Sequence, residues 1–262
     1  MASVAGHFGE WLQGRLGPEG PLALVTVACP ALSVRADFTA GERFDITQTP
    51  QILPQDQALA FLAAIHAARG HYTLTADMPP GGGAGASTAA LLALAEAGGV
   101  APATVTAVCL AAEGASDPLM LPAPDAVLWA PREGRVLADL APLPQAEIIG
   151  GFWGPPTPTD PADQVFPDVS DLAAQIKNPV PLQTLAEIAS SSATRTTALR
   201  GPAKDPTASL AQSLGALGWL RAHTGSARGL IFAPGAAPAD AQETLRAAGF
   251  AATLRFFTGG RP

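Results

Sequence analysis

The chain has 262 residues, 48% of them hydrophobic and 14% charged, with a formal net charge of −7. That composition is globular rather than disordered, and the length suffices for one large domain or two smaller ones. An acidic balance without any basic run excludes nucleic acid as a partner, because binding a phosphate backbone needs clustered Lys and Arg. No apolar stretch reaches the roughly 18 residues expected of a membrane span, and the opening MASVAGHFGEW lacks the charged and apolar regions of a signal peptide. Cys29 and Cys109 stand alone in apolar surroundings, the pattern of buried thiols in a reducing compartment. A soluble cytoplasmic protein with no membrane partner is the expectation.

Residues 2 to 8 and 22 to 38 are rich in Val, Leu and Ala and predict two strands joined by the turn LGPEGP. ERFDITQTP predicts a third strand. Residues 55 to 69 switch to helical spacing through Leu59, Leu62, Ile65 and His66, with Gly70 as the stop. HYTLTAD predicts a short strand running into a glycine-rich loop, followed by helices over 87–97 and 102–113. AVLWAP and GRVLADL predict a hairpin across Glu133-Gly134, and AEIIGGFW a further strand. GPPTPTDPADQVFPD holds five prolines in fifteen residues, so it is a linker or an active-site flap rather than regular structure. Helices over 181–200 and 206–223, a strand at ARGLIFA, a helix over 237–248 and a strand at AATLRFF complete the chain. Strands and hairpins in this order predict an α+β fold.

The stretch MPPGGGAGASTAALLALAEAG, residues 78 to 98, concentrates the chemistry. Glycines let a backbone approach a ligand closely, and a helix starting straight after them aims free N–H groups and a partial positive charge into the loop. The combination suits an anion, most often phosphate. A Walker A loop is excluded because no Lys precedes Ser87 or Thr88. Gly81, Gly83 and Ala86 match a dinucleotide fingerprint, but no acidic residue stands near Thr106, where one is needed. Gly85-Ala86-Ser87-Thr88-Ala89 approximates a nucleophile elbow, with Ser87, Asp117 and His223 in hydrolase order. The final glycine is absent, however, and a loop separates Ser87 from the strand. An acyl hydrolase and a ligand-free glycine connection therefore remain alternatives. His7, His66 and His71 show no metal-ligand spacing and are assigned structural roles.

PPGGGAGAST followed by an Ala/Leu helix resembles the phosphate loop of the GHMP kinase superfamily, whose common form is P-x-G-x-G-L-G-S-S-A. AGHFGEWLQGRLGPEGPLALVTVACP and WLRAHTGSARGLIF resemble, in the same order, segments of the L-threonine kinases linked to propanediol utilisation and cobalamin synthesis. The three motifs spread over residues 5 to 232. The resemblance implies a GHMP-type two-lobed α+β fold: an N-terminal ribosomal-S5-like lobe over 1–155 and a C-terminal ferredoxin-like lobe over 156–262. It implies ATP and Mg²⁺ as cofactors and transfer of the γ-phosphoryl group to the alcohol of a small-molecule substrate, L-threonine first. A homodimer stays open.

Carried onto this sequence, the resemblance assigns nucleotide binding to Pro80, Gly81, Gly82, Gly83, Ala84, Gly85, Ala86, Ser87 and Thr88. Ser87 and Glu113 would hold Mg²⁺, and Asp117 would take the proton of the acceptor hydroxyl. Glu10, His223, Thr224 and Gly225 would contact the acceptor. Several positions depart from the family. Ala86 stands where the first loop serine is expected, Gly114 rather than Glu113 occupies the family's Glu position, and GFWGPPTPTD brings Trp153 and prolines where an acidic residue follows glycines. Ala86 and the altered segment leave a relative that binds without turnover as a further alternative. Lys177 and Lys204 are the only lysines, so cationic help at the γ-phosphate falls to Arg15, Arg195 or Arg228, or to Mg²⁺.

Overall fold

The computed structural model describes residues 1–176 and 179–259; Lys177 lies outside them. Two long strands, β1 (Ala2–Arg15) and β2 (Leu22–Ala40), form an antiparallel hairpin. β3 (Asp45–Thr49), α1 (Gln55–Ala64) and β4 (Gly70–Ala76) follow, with β4 antiparallel to β2 and parallel to β3. α2 (Ala86–Ala97) and α3 (Thr106–Glu113) lead to the hairpin of β5 (Val127–Ala130) and β6 (Arg135–Asp139). The rest comprises β7 (Ala146–Phe152), α4 (Ser170–Ala173), α5 (Leu182–Arg200), α6 (Thr207–Ser213), β8 (Gly218–Arg221), β9 (Ala227–Phe232), α7 (Ala241–Ala247) and β10 (Ala251–Thr258).

The strands join one sheet in the order β10-β7-β9-β8-β1-β2-β4-β3, with β5 and β6 attached beside β2. The link between β8 and β1 is a single register pair, Glu10 with Arg221. The sheet curls. Phe8 on β1 makes edge-to-face contacts with Phe152 on β7 at 5.5 Å and Phe256 on β10 at 5.7 Å, although both strands lie beyond β8 and β9 in the sheet order. α2 is apolar on every side and is accordingly buried almost throughout, packed against β1 and β2. Both cysteines are free and buried, as expected.

Three elements differ most from the sequence expectation. The helix predicted over 206–223 is instead α6 followed by β8. Gly215 at φ +69° breaks the helix, and Gly218–Arg221 is buried on both faces, so no alternation marks it as a strand. The helix predicted to Arg69 ends at Ala64, with His66 in the left-handed region at φ +53°. β1 runs to Arg15 rather than residue 8, which places the Gly9–Gly14 motif inside a strand. No helix among the described residues is long and apolar enough to cross a membrane.

Candidate active site

The glycine loop bridges β4 and α2, and its peptides are held in one orientation. The carbonyl of Gly81 accepts from Thr157 N–H (2.9 Å), that of Gly82 from Ser226 and Ala227 (3.0 and 2.8 Å), that of Gly83 from Gly9 (3.2 Å) and that of Ala84 from His7 (3.1 Å). Gly81, Gly83 and Gly85 all adopt positive φ, from +67° to +76°, which lets successive carbonyls turn outward. With the carbonyls engaged by the protein, the N–H groups from Gly83 to Thr88 have no acceptor among the described residues. Gly85, in left-handed conformation, is the N-cap of α2, and no side chain caps that helix. Ser87 therefore sits inside the first turn with its hydroxyl free to point elsewhere.

The loop forms one wall of a cleft of about 740 Å³, within the usual range for small-molecule sites. Ser87, Glu113 and Asp117 line it beside His7, Glu10 and His223. Thr88 Oγ1 donates to Glu113 Oε2 at 3.0 Å and accepts from Asp117 N–H at 3.3 Å, so one hydroxyl orders both acidic residues. The Ser87 hydroxyl also faces the Glu113 carboxyl and favours its charged form. Burial outweighs these bonds and pushes Glu113 up to about 7. Glu10, buried on β1, accepts from His223 N–H at 3.1 Å, and burial lifts it to about 7 as well.

His7 Nε2 lies 3.2 Å from Asp117 Oδ2. The expectation of a structural His7 is thus corrected: it belongs to the cleft. A β-bulge hid it from the sequence, because the register of β1 against β2 shifts between His7 and Glu10, and two residues three apart come to serve one site. His66 and His71 stay outside the cleft lining, with His71 paired to Asp45 at 2.8 Å.

The proline segment closes the cleft as a flap. Besides the Thr157 bond to the glycine loop, Thr159 and Thr224 hydroxyls meet at 3.1 Å, and Phe166 stacks on His223 with centroids 4.0 Å apart and planes 6° from parallel. Arg132 and Arg200 flank the Phe166 ring. The hydrogen bond from Arg200 holds the Asp163 carboxyl below its ordinary range. His223 is 3% exposed, neither ring nitrogen has a hydrogen-bond partner among the described residues, and burial with the nearby Arg200 charge drives it down to about 3. Asp163 and Phe166, both lining residues, carry no motif and were not identifiable from the sequence.

Pro80 through Thr88, Glu10, Glu113, Asp117, His223 and Thr224 all line the cleft; Gly225 does not. A Cβ on Gly225 would lie 2.5 Å from Gly82 C and Gly83 N, so this glycine backs the loop rather than meeting a ligand. The Ser87–His223–Asp117 relay of a hydrolase is not assembled, since Asp117 pairs with His7 and the His223 nitrogens touch neither partner. The arginines assigned to the γ-phosphate are also elsewhere. Arg15 donates to Gly20 O, Arg195 to Asp171 and Arg228 to Asp205; Arg132 lines the cleft instead. Trp153 reaches Ala248 O at 3.3 Å, outside the lining.

No protein-family model and no curated protein matches the sequence. Among solved structures, mevalonate kinase from methicillin-resistant Staphylococcus aureus is similar at TM-score 0.59 and 16% identity, covering 99% of each chain. Phosphomevalonate kinase from Streptococcus pneumoniae reaches TM-score 0.64 at 11% identity over 98% of each chain. Homoserine kinase from Cytophaga hutchinsonii reaches TM-score 0.54 at 16% identity over 98% of this chain and 95% of that one. The fold is therefore the mixed α/β architecture, with its curled sheet, of these solved structures.

Proposed function

We propose that this chain is an ATP-dependent kinase of the GHMP type that moves the γ-phosphoryl group to the hydroxyl of a small molecule, a hydroxy amino acid such as L-threonine first. The observation that carries the reading is the loop's orientation: carbonyls tied back into the protein, unpaired amides and the α2 terminus turned to a cleft that also holds Asp117. Amides so fixed stabilise phosphate charge without reorganising, and phosphoryl transfer depends mainly on such positioning. In the transfer, the acceptor oxygen forms a bond to the γ-phosphorus as the bond to the ADP oxygen breaks, and Asp117 takes the hydroxyl proton.

The donor set near α2 fits Mg²⁺. Ser87, Thr88 and Glu113 offer hard oxygens along one stretch of the cleft wall, while among the described residues no group of three or more His, Cys, Asp or Glu could hold a metal ion by itself. A cation bound by one carboxylate, a hydroxyl and substrate phosphates is the common arrangement for Mg²⁺; there it would neutralise charge on the β- and γ-phosphates. Glu10, Gln13, His223 and Phe166 then form the acceptor side. The division into lobes belongs to the same reading. By pairing, β7 goes with β9 and β10, which favours a junction between β6 and β7 over one at residue 155.

The test is ADP release from ATP and Mg²⁺ with a panel of hydroxy amino acids and amino alcohols. Release is expected only with the right acceptor, and Asp117→Asn should abolish it while ATP affinity holds. Nucleotide binding without turnover on any acceptor would replace this reading with the non-catalytic one; absence of nucleotide binding would end both.

A further inference from the structure

We propose that His7 is a positioning residue held as an imidazolium, and that its contact holds the Asp117 carboxylate aimed at the acceptor hydroxyl. The evident chemistry is the pair of atoms its ring meets. Nδ1 lies 3.3 Å from the Gly9 carbonyl oxygen and Nε2 lies 3.2 Å from Asp117 Oδ2. A carbonyl and a carboxylate only accept hydrogen bonds, whereas a neutral imidazole has one N–H to give. With the ring 3% exposed, solvent water has little access to repair a mismatch. Both nitrogens must carry protons, unless Asp117 is itself protonated. Between an imidazole and a carboxyl the shared proton belongs to the imidazole, whose ordinary pKa is higher by more than about two units.

The neighbours on each side agree. From its own strand, Glu10 Oε1 stands 4.0 Å from Nδ1. From the turn before Pro118, Asp117 is in contact. Ala28, opposite on β2, and Gly85, beside the ring, carry no charge. Arg221 acts on Glu10, and Glu113 and Asp117 act on each other. Burial alone would lower the imidazole, but Asp117 and then Glu10 more than reverse this, to about 9.

His7 is the cation that the structure sets directly against Asp117 Oδ2. Asp117 shares its cleft with Glu113, Glu10 and, in the proposed reaction, a triphosphate, and the ring N–H at Oδ2 fixes which way its carboxylate faces. Arg15, Arg195 and Arg228 are committed elsewhere, as described. His7 is also mechanically tied to the phosphate loop. Its N–H bonds Ala84 O, and its ring lies where a Cβ on Gly85 would be, 2.6 Å from His7 Cδ2. Loop, cation and base are therefore registered to one another.

The catalytic half of this inference rests on the kinase reading, but the charge state does not, so two measurements separate them. The first is NMR titration of the His7 ring in the full-length protein without nucleotide. Both ring nitrogens should remain protonated through pH 8, and Asp117→Asn should weaken proton binding at His7 at least tenfold. A midpoint at or below pH 7, or one indifferent to Asp117→Asn, would overturn the proposal whether or not the chain is a kinase. The second is the pH profile of kcat for wild type and His7→Gln, with folding of the variant checked by thermal unfolding. At pH 7 the variant should lose about a hundredfold in kcat, within the range of acid–base effects, with KM for ATP unchanged, and the gap should close as pH rises past 9. A gap constant from pH 6 to 10 would show that the ring merely fills space, and would overturn the inference while leaving the kinase intact.

Discussion

Gly83→Ala tests the geometry on which the phosphate site depends. Gly83 has φ +76°, and a Cβ there would lie 2.2 Å from Ala222 Cβ and 2.5 Å from Thr224 O. Gly17, in the β1–β2 turn, has nearly the same φ, +81°, with nothing within 4 Å of the added carbon. Alanine in the left-handed region costs about 1–2 kcal/mol at either site. Only Gly83→Ala adds overpacking against the backbone after β8, a further 1–3 kcal/mol or so. Urea unfolding of the two variants should therefore differ by about 1–3 kcal/mol, or about 2–12 °C in Tm for a chain of this size. Because the Gly83 carbonyl is bonded to Gly9 N–H, relief of the clash must rotate the loop's peptides, so ATP affinity should fall at least tenfold in Gly83→Ala and hold in Gly17→Ala. Equal destabilisation by the two substitutions would mean that the loop is not seated on the end of β8, and the site as described would be wrong.

Glu113→Gln should trade binding for stability. A folded pKa raised from 4.5 to about 7 gives a contribution present below about pH 4.5 and lost as pH rises through 7. The variant should therefore melt above wild type at pH 8 and alongside it at pH 4.5, and lose Mg²⁺-dependent nucleotide affinity; a lower melting point at pH 8 would refute this. Asp205→Ala strips the carboxylate from Arg228, which is 1% exposed and bonded to it at 2.8 Å. A loss of about 3–5 kcal/mol in urea unfolding is expected for a buried charge left alone, and a loss below about 1 kcal/mol would show the pair to be incidental. Thr88→Val keeps shape but orphans Asp117 N–H and one bond to Glu113, for a cost of about 1–3 kcal/mol in stability. A reduced kcat should accompany it, and unchanged kcat would detach Thr88 from the ordering of the two acids.

How much of this was legible in the sequence depended on whether the signal was local. The phosphate loop was legible because alternating glycines before an Ala/Leu helix state both the backbone angles and the helix start, and nothing distant is needed to read them. Glu113 and Asp117 were reachable because a helix end and a proline-bounded turn bring them to that helix within a short span. β8 was illegible because Gly218, Trp219, Leu220 and Arg221 are all buried, and a strand covered on both faces loses the alternation that distinguishes it from a helix. His7 was lost to the bulge, since strict alternation puts residues 7 and 10 on opposite faces. Phe166 and Asp163 enter the cleft only because the flap folds back onto His223 and the loop, through contacts spanning some sixty residues that no periodicity encodes.

The same distances explain why an acidic chain with two lysines can hold a phosphate site at all. A site built from lysines needs no particular backbone, because each cation attracts phosphate wherever its flexible stem reaches. A site built from main-chain amides works only if the peptides cannot turn, since a carbonyl in place of an N–H repels what the other attracts. Here the orientation is enforced by five donors from three separate places: His7 and Gly9 on β1, Ser226 and Ala227 at the start of β9, and Thr157 on the flap. Those segments are also the ones that bring His7, Glu10, His223 and Phe166 to the opposite wall. The groups that fix the loop and the groups that face the acceptor thus lie on the same segments of chain, so a shift in one displaces both, and the phosphate cup and the acceptor wall stand or fall together.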